Sequence, residues 1–130
     1  MEKILKIAEM YNRKLLKLAA YPTVESCKII IEDVIEELVD KNEDLMEGVL
    51  YVSNVQLQKH QMENEFLVNF ILNVDIKKEE ILNRNQAARQ GAVQSAVLSV
   101  LQKTHPEFGW KLKFNEMFTK DPGWFGDKYK

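Results

Sequence analysis

The sequence predicts an α+β domain. It has an N-terminal helical hairpin, a small, mostly antiparallel sheet (residues 49–58, 66–76 and 110–114) packed by a long helix (77–103), and an irregular aromatic C-terminal tail. The domain is expected over residues 1–118 and the tail over 119–130. Three observations carry this reading. Phe66, Val68, Phe70, Leu72, Val74 and Ile76 place a large apolar side chain at every second position, which a 3.6-residue repeat would scatter around a cylinder. Two segments before this run and one after it repeat their apolar residues at helical spacing instead. The resulting order (helix, helix, strand, strand, helix, strand) suits a sheet with helices segregated from it.

The first helix is expected from Glu2 to Ala20, with Ile4, Ile7, Tyr11, Leu15 and Leu18 on one face and Lys and Arg on the other. Tyr21-Pro22 ends it, because the residue before proline is pushed out of the α region. Thr23 in Thr-Val-Glu-Ser is the N-cap of a second helix running to about Asp40, buried along Cys27, Ile30, Ile31, Val34, Ile35 and Leu38. A short turn between the two makes an antiparallel hairpin the natural arrangement. After a polar connector, Val49, Tyr51, Val55 and Leu57 alternate as a strand, and residues 59–65 form a polar loop before the central strand. The long helix is stopped by His105-Pro106. Trp110, Leu112 and Phe114 then alternate with Lys111 and Lys113 as a third, short strand.

Composition bounds the class. At 130 residues, 45% hydrophobic and 29% charged, the chain fits one globular domain rather than a disordered one. No apolar stretch reaches the roughly 18–20 residues of a membrane span. Lys3, Lys6, Arg13, Lys14 and Lys17 interrupt every candidate leader segment, so no secretory signal is expected. A single cysteine, Cys27, excludes an intrachain disulfide and makes the cytoplasm, or a viral assembly built there, the expected compartment. The net charge of −2 hides a segregation by element: residues 1–22 carry +3, residues 23–48 carry −7, and residues 77–105 carry +3.

Four features are candidates for function. The second face of the central strand alternates aliphatics with amides at Leu67, Asn69, Ile71 and Asn73, which suits a half-buried contact with the N-terminal hairpin or with another copy of the chain. An eleven-residue strand spans about 36 Å, and its second edge must be covered by residues 110–114 or by a second subunit. The long helix carries small residues in two rows, Ala87, Gly91, Ser95, Ser99 and Ala88, Ala92, Ala96, which permit close approach of another backbone, that of the chain's own sheet as the simpler reading or that of another subunit; leucine at Gly91 would disrupt packing either way. In the tail, Trp124 and Phe125 lie between Pro122-Gly123 and Gly126, as an aromatic anchor for a partner groove or a plug for their own domain.

The polar side of the long helix, with Arg84 and Arg89, could join Lys111 and Lys113 in a basic patch for phosphates, although a solvated face is the simpler reading. His60 and His105 are isolated from other metal-ligand residues, Glu36-Glu37 and Glu79-Glu80 point to different helix faces, and the glycines form no phosphate loop. No cofactor, metal, membrane or small-molecule substrate is therefore expected. The sequence points to a non-enzymatic assembly or protein-interaction protein that self-associates, as a structural subunit, adaptor or inhibitor. The alternative is a nucleic-acid-associated regulator using the basic and amide face of the third helix.

Overall fold

The structure, a computed structural model, describes residues 21–60 and 64–120. In chain order these form α1 (Val24–Lys41), β1 (Val49–His60), β2 (Glu65–Asp75), a 3-10 turn (Ile76–Lys78), α2 (Glu79–Arg84), α3 (Gln86–Thr104) and β3 (Gly109–Thr119). The fold is α+β, with one mixed sheet in the order β1-β2-β3 among the described residues. The helix expected over residues 2–20 and the tail residues Trp124 and Phe125 lie outside the described residues.

Helix α1 begins where its cap lies. Thr23 Oγ1 accepts from the Ser26 N–H at 3.0 Å, and Ser26 Oγ accepts from the Thr23 N–H at 2.9 Å, a reciprocal capping box. Such a cap contributes about 1 kcal/mol. Cys27, Ile30, Ile31, Val34 and Ile35 form its buried stripe, and they meet the apolar face of β2, where Phe66, Val68, Phe70, Leu72 and Val74 are all buried. Helix α3 adds Val93, Val97 and Leu101 to the same core, so both long helices cover one face of the sheet.

Strand β1 is antiparallel to β2, pairing Val52 with Leu72 and Leu57 with Val68, with a register shift between Ser53 and Gln56. The shift contains Asn54 at φ 53, a left-handed conformation that asparagine tolerates better than most residues. Strand β3 runs parallel to β2 along its whole length, from Glu65 opposite Gly109 to Asp75 opposite Thr119. Two helices intervene between these strands, and a crossover of that kind returns the chain to the end from which β2 started. The strand expected over 110–114 is thus eleven residues long. Alternation fades after Phe114 because Glu116 takes a position on the covered face. The second edge of β2 is consequently satisfied within the chain, and the case for a second subunit drawn from that edge lapses.

The helix expected over 77–103 is broken at Asn85 (φ −99, ψ 6), whose side chain donates to the Asp44 carbonyl at 3.2 Å. A side-chain amide that bonds backbone elsewhere competes with continuous helix. Leu82, just before the break, packs over Gly48, which sits at φ +90 in the connector; a Cβ there would lie 3.0 Å from the Leu82 side chain. Backbone conformation and close approach both require glycine at this point.

The small-residue rows of α3 do not pack on the sheet. Ala87, Ala88, Gly91, Ser95 and Ser99 are exposed, Ala92 and Ala96 are half-buried, and the buried line is Arg89, Val93, Val97, Leu101. A Cβ added at Gly91 would meet nothing within 4 Å, so alanine there fits without disturbing the protomer. Gly91→Ala is expected to raise stability by about 0.5–1 kcal/mol, since it removes backbone entropy from the unfolded chain at no steric cost. Urea denaturation would show this as a higher midpoint at unchanged slope; a lower midpoint would mean that the position is crowded.

Candidate sheet-face interaction site

With α1 and α3 on one face, the other face of the sheet carries the side chains that alternate out of the core. Cross-strand partners share a face, so the register places Gln58, Leu67 and Lys111 in one row, and Gln56, Asn69 and Lys113 in the next. Ser53, Ile71 and Asn115 form a third row, and Tyr51, Asn73 and Met117 a fourth. Leu67, Asn69 and Ile71 are half-buried, while Gln56, Gln58, Lys111, Lys113, Asn115 and Met117 are exposed. A depression of about 700 Å³ at the middle rows is lined by Asn54, Gln56, Asn69, Ile71, Lys113 and Asn115 together with Phe70, Leu112 and Phe114 of the covered face and Gln90 and Gln94 of α3, so it is not confined to the open face. Each side-chain amide both donates and accepts, so this surface can match polar groups of either kind around two aliphatic positions.

Asn73 differs from its neighbours on this face. It is 5% exposed, and its Nδ2 donates to Ser53 Oγ at 2.8 Å and to the Tyr51 carbonyl at 3.3 Å. Those bonds hold β1 beside its register shift, so Asn73 is committed to the sheet itself. Leu67, Asn69 and Ile71 remain as the expected partner-facing group. Lys111 Nζ lies 3.7 Å from Glu65 Oε1 at one margin, and at the other Asp75 accepts from the Lys77 N–H at 2.9 Å. Between those margins the face carries lysine and no acid among the described residues.

The basic constellation expected on the third helix does not assemble. Arg89 is 1% exposed and turns inward, because it shares the helical repeat of Val93, Val97 and Leu101. Its guanidinium makes a two-pronged pair with Glu116, with Nη2 2.9 Å from Oε1, and Nη2 also donates to the Leu82 carbonyl at 2.8 Å. Glu116 accepts as well from Gln90 Nε2 at 3.3 Å. Arg84 is exposed on α2 and pairs with Glu80 at 3.4 Å, whereas Lys111 and Lys113 lie on the open sheet face. The pair that sequence reasoning missed had a signal: Glu116 continues the inward series Trp110, Leu112, Phe114, where a carboxylate requires a buried cation.

Of the remaining reactive residues, Cys27 and His105 lie apart from this face, and His60 sits in its end row opposite Glu65. Cys27 is 1% exposed, and burial pushes its thiol up to about 11, the opposite of what a nucleophile needs. His105 is buried beside Trp110, whose Nε1–H donates to the His105 carbonyl at 3.2 Å. His60 is exposed at the end of β1. Among the described residues no group of three or more histidines, cysteines or carboxylates is placed to hold a metal ion, and no helix is long and apolar enough to cross a membrane.

Comparison of the chain with protein-family models, curated proteins and solved structures finds no match.

Proposed function

We propose that this protein is a non-enzymatic assembly or interaction protein of the cytoplasm that associates with further copies of itself through the open face of its sheet. The observation that carries this reading is one-sided cover among the described residues. Two helices pack the face of Phe66, Val68 and Phe70, while the opposite face sets Leu67 and Ile71 among amides instead of the charged residues usual on a solvated strand. Half-buried aliphatics ringed by groups that both donate and accept make a surface that a protein partner can desolvate when it offers an acid to Lys113. A structural subunit, an adaptor and an inhibitor would each use such a face.

The nucleic-acid reading has less support. Arg89 is held by Glu116, and among the described residues the open face lacks the row of aromatics on which bases stack, with Tyr51 at its end.

Light scattering tests the proposal. The full chain is expected to show a mass that is a multiple of 15.2 kDa, and Ile71→Lys is expected to lower it toward the protomer value with an unchanged circular dichroism spectrum. A wild-type mass of 15.2 kDa throughout the micromolar range would overturn self-association.

A further inference from the structure

We propose that the outer edge of β3 takes up an extended segment of another protein, with apolar and acidic residues in alternation, as a fourth strand of the sheet. This goes beyond the self-association proposed above and does not depend on it. Strand β3 pairs with β2 along all eleven of its residues, and among the described residues no strand lies on its outer edge. The N–H and C=O groups along such an edge are a template for a further strand.

The depression locates the contact. Helix α3 lies on the covered side of the sheet, where Gln90 donates to Glu116 of β3 at 3.3 Å. Lys113 and Asn115 share the open side with Asn69 and Ile71. A hollow lined by Lys113 and Asn115 and also by Gln90 and Gln94 has to pass around the outer edge of β3, since β2 lies along the inner one. It follows the strand at Leu112, Lys113, Phe114 and Asn115, where a neighbour about 4.8 Å away would run.

The two sides of this edge set the chemistry of the occupant, because successive side chains of an added strand point to opposite faces. On the covered side they meet Leu112 and the half-buried Phe114, whose ring stacks on Phe70 of β2 at 4.8 Å. Apolar side chains suit those positions. On the open side they meet Lys113, which has no acid partner among the described residues, so an acidic side chain suits the position opposite it. The same charge argues against a second copy here. A second β3 would bring Lys113 again and no acid on that face. A second β1 would bring Gln56 and Gln58, also without an acid, along an edge interrupted by a register shift.

The test uses a synthetic heptapeptide, TVEVEVT, acetylated and amidated at its ends and titrated into the full-length chain under NMR. Backbone amides of β3 between Lys111 and Met117 are expected to gain protection from hydrogen exchange at saturation, since an added strand covers them and a contact with open-face side chains does not. The peptide TVKVKVT is expected to bind about tenfold more weakly. Lys113→Glu should weaken TVEVEVT by about the same factor with an unchanged circular dichroism spectrum. No saturation at millimolar peptide, or saturation with protection confined to residues outside β3, overturns the fourth-strand contact. Equal binding of the two peptides overturns its charge pattern and with it the proposed partner. Protection of the same β3 amides that grows with protein concentration in the absence of peptide would place a second copy on this edge, which also overturns the proposal.

Discussion

Arg89→Met is expected to lower the free energy of unfolding by about 3–5 kcal/mol, although sequence alone places Arg89 on a solvated helix face. The Arg89 and Glu116 side chains are 2% and 8% exposed, so solvent screens this pair little compared with the exposed pairs elsewhere on the surface. Methionine retains much of the apolar stem but leaves the Glu116 carboxylate buried with only the Gln90 amide opposite it. It also withdraws the donor from the Leu82 carbonyl at the break between α2 and α3. An unpaired buried charge is costlier than a pair that was never made, so Arg89→Met combined with Glu116→Leu is expected to recover most of the loss. Urea denaturation of both single variants and the double variant closes the cycle. A single-variant cost below about 1 kcal/mol would mean that the pair behaves as a surface ion pair.

Phe66→Ala carries the second large expected effect, a loss of about 3–5 kcal/mol. Phe66 is 3% exposed and joins parts of the chain that are distant in sequence. Its ring lies 5.8 Å from that of Tyr21 and 5.0 Å from that of Phe108, both edge-on, and it stacks on Trp110 at 5.3 Å. Truncation leaves a cavity beside Trp110 of β3 and Phe108 just before it, with Tyr21 at its exposed edge. Phe66→Leu keeps most of the volume and is expected to cost less. A double-mutant cycle with Phe108→Ala should return a coupling of about 0.5–1.5 kcal/mol beyond area burial. A coupling near zero would mean that the rings fill space without a geometric preference.

The two substitutions probe different kinds of legibility. Phe66 was identifiable as core from period-two spacing alone, since six apolar residues on one side of a strand leave nowhere else for it to go. Arg89 was not, because the residue type argues for solvent and the argument for burial lies 27 residues away at Glu116. Asn85 was hidden for the same reason: its partner is the Asp44 carbonyl, and nothing in the local sequence marks a break there. The small-residue rows of α3 were correctly grouped by spacing but assigned to the wrong side, since spacing defines a stripe without saying which stripe faces inward. The candidate face divides likewise. Alternation placed Leu67, Asn69, Ile71 and Asn73 together, and only the register with β1 separated Asn73, bonded to Ser53, from the three that remain available.

By itself, the chain determined the element types of its described residues, the cap at Thr23, the apolar faces of α1 and β2, and the segregation of charge. All of these are local or periodic properties, set by backbone preference and by which side chains leave water. The tertiary structure decided that β3 runs parallel along the full length of β2, that Arg89 is buried against Glu116, and that one face of the sheet is open among the described residues. These depend on pairing between residues far apart in sequence, where register and the return path of the chain choose among partners that periodicity leaves equivalent.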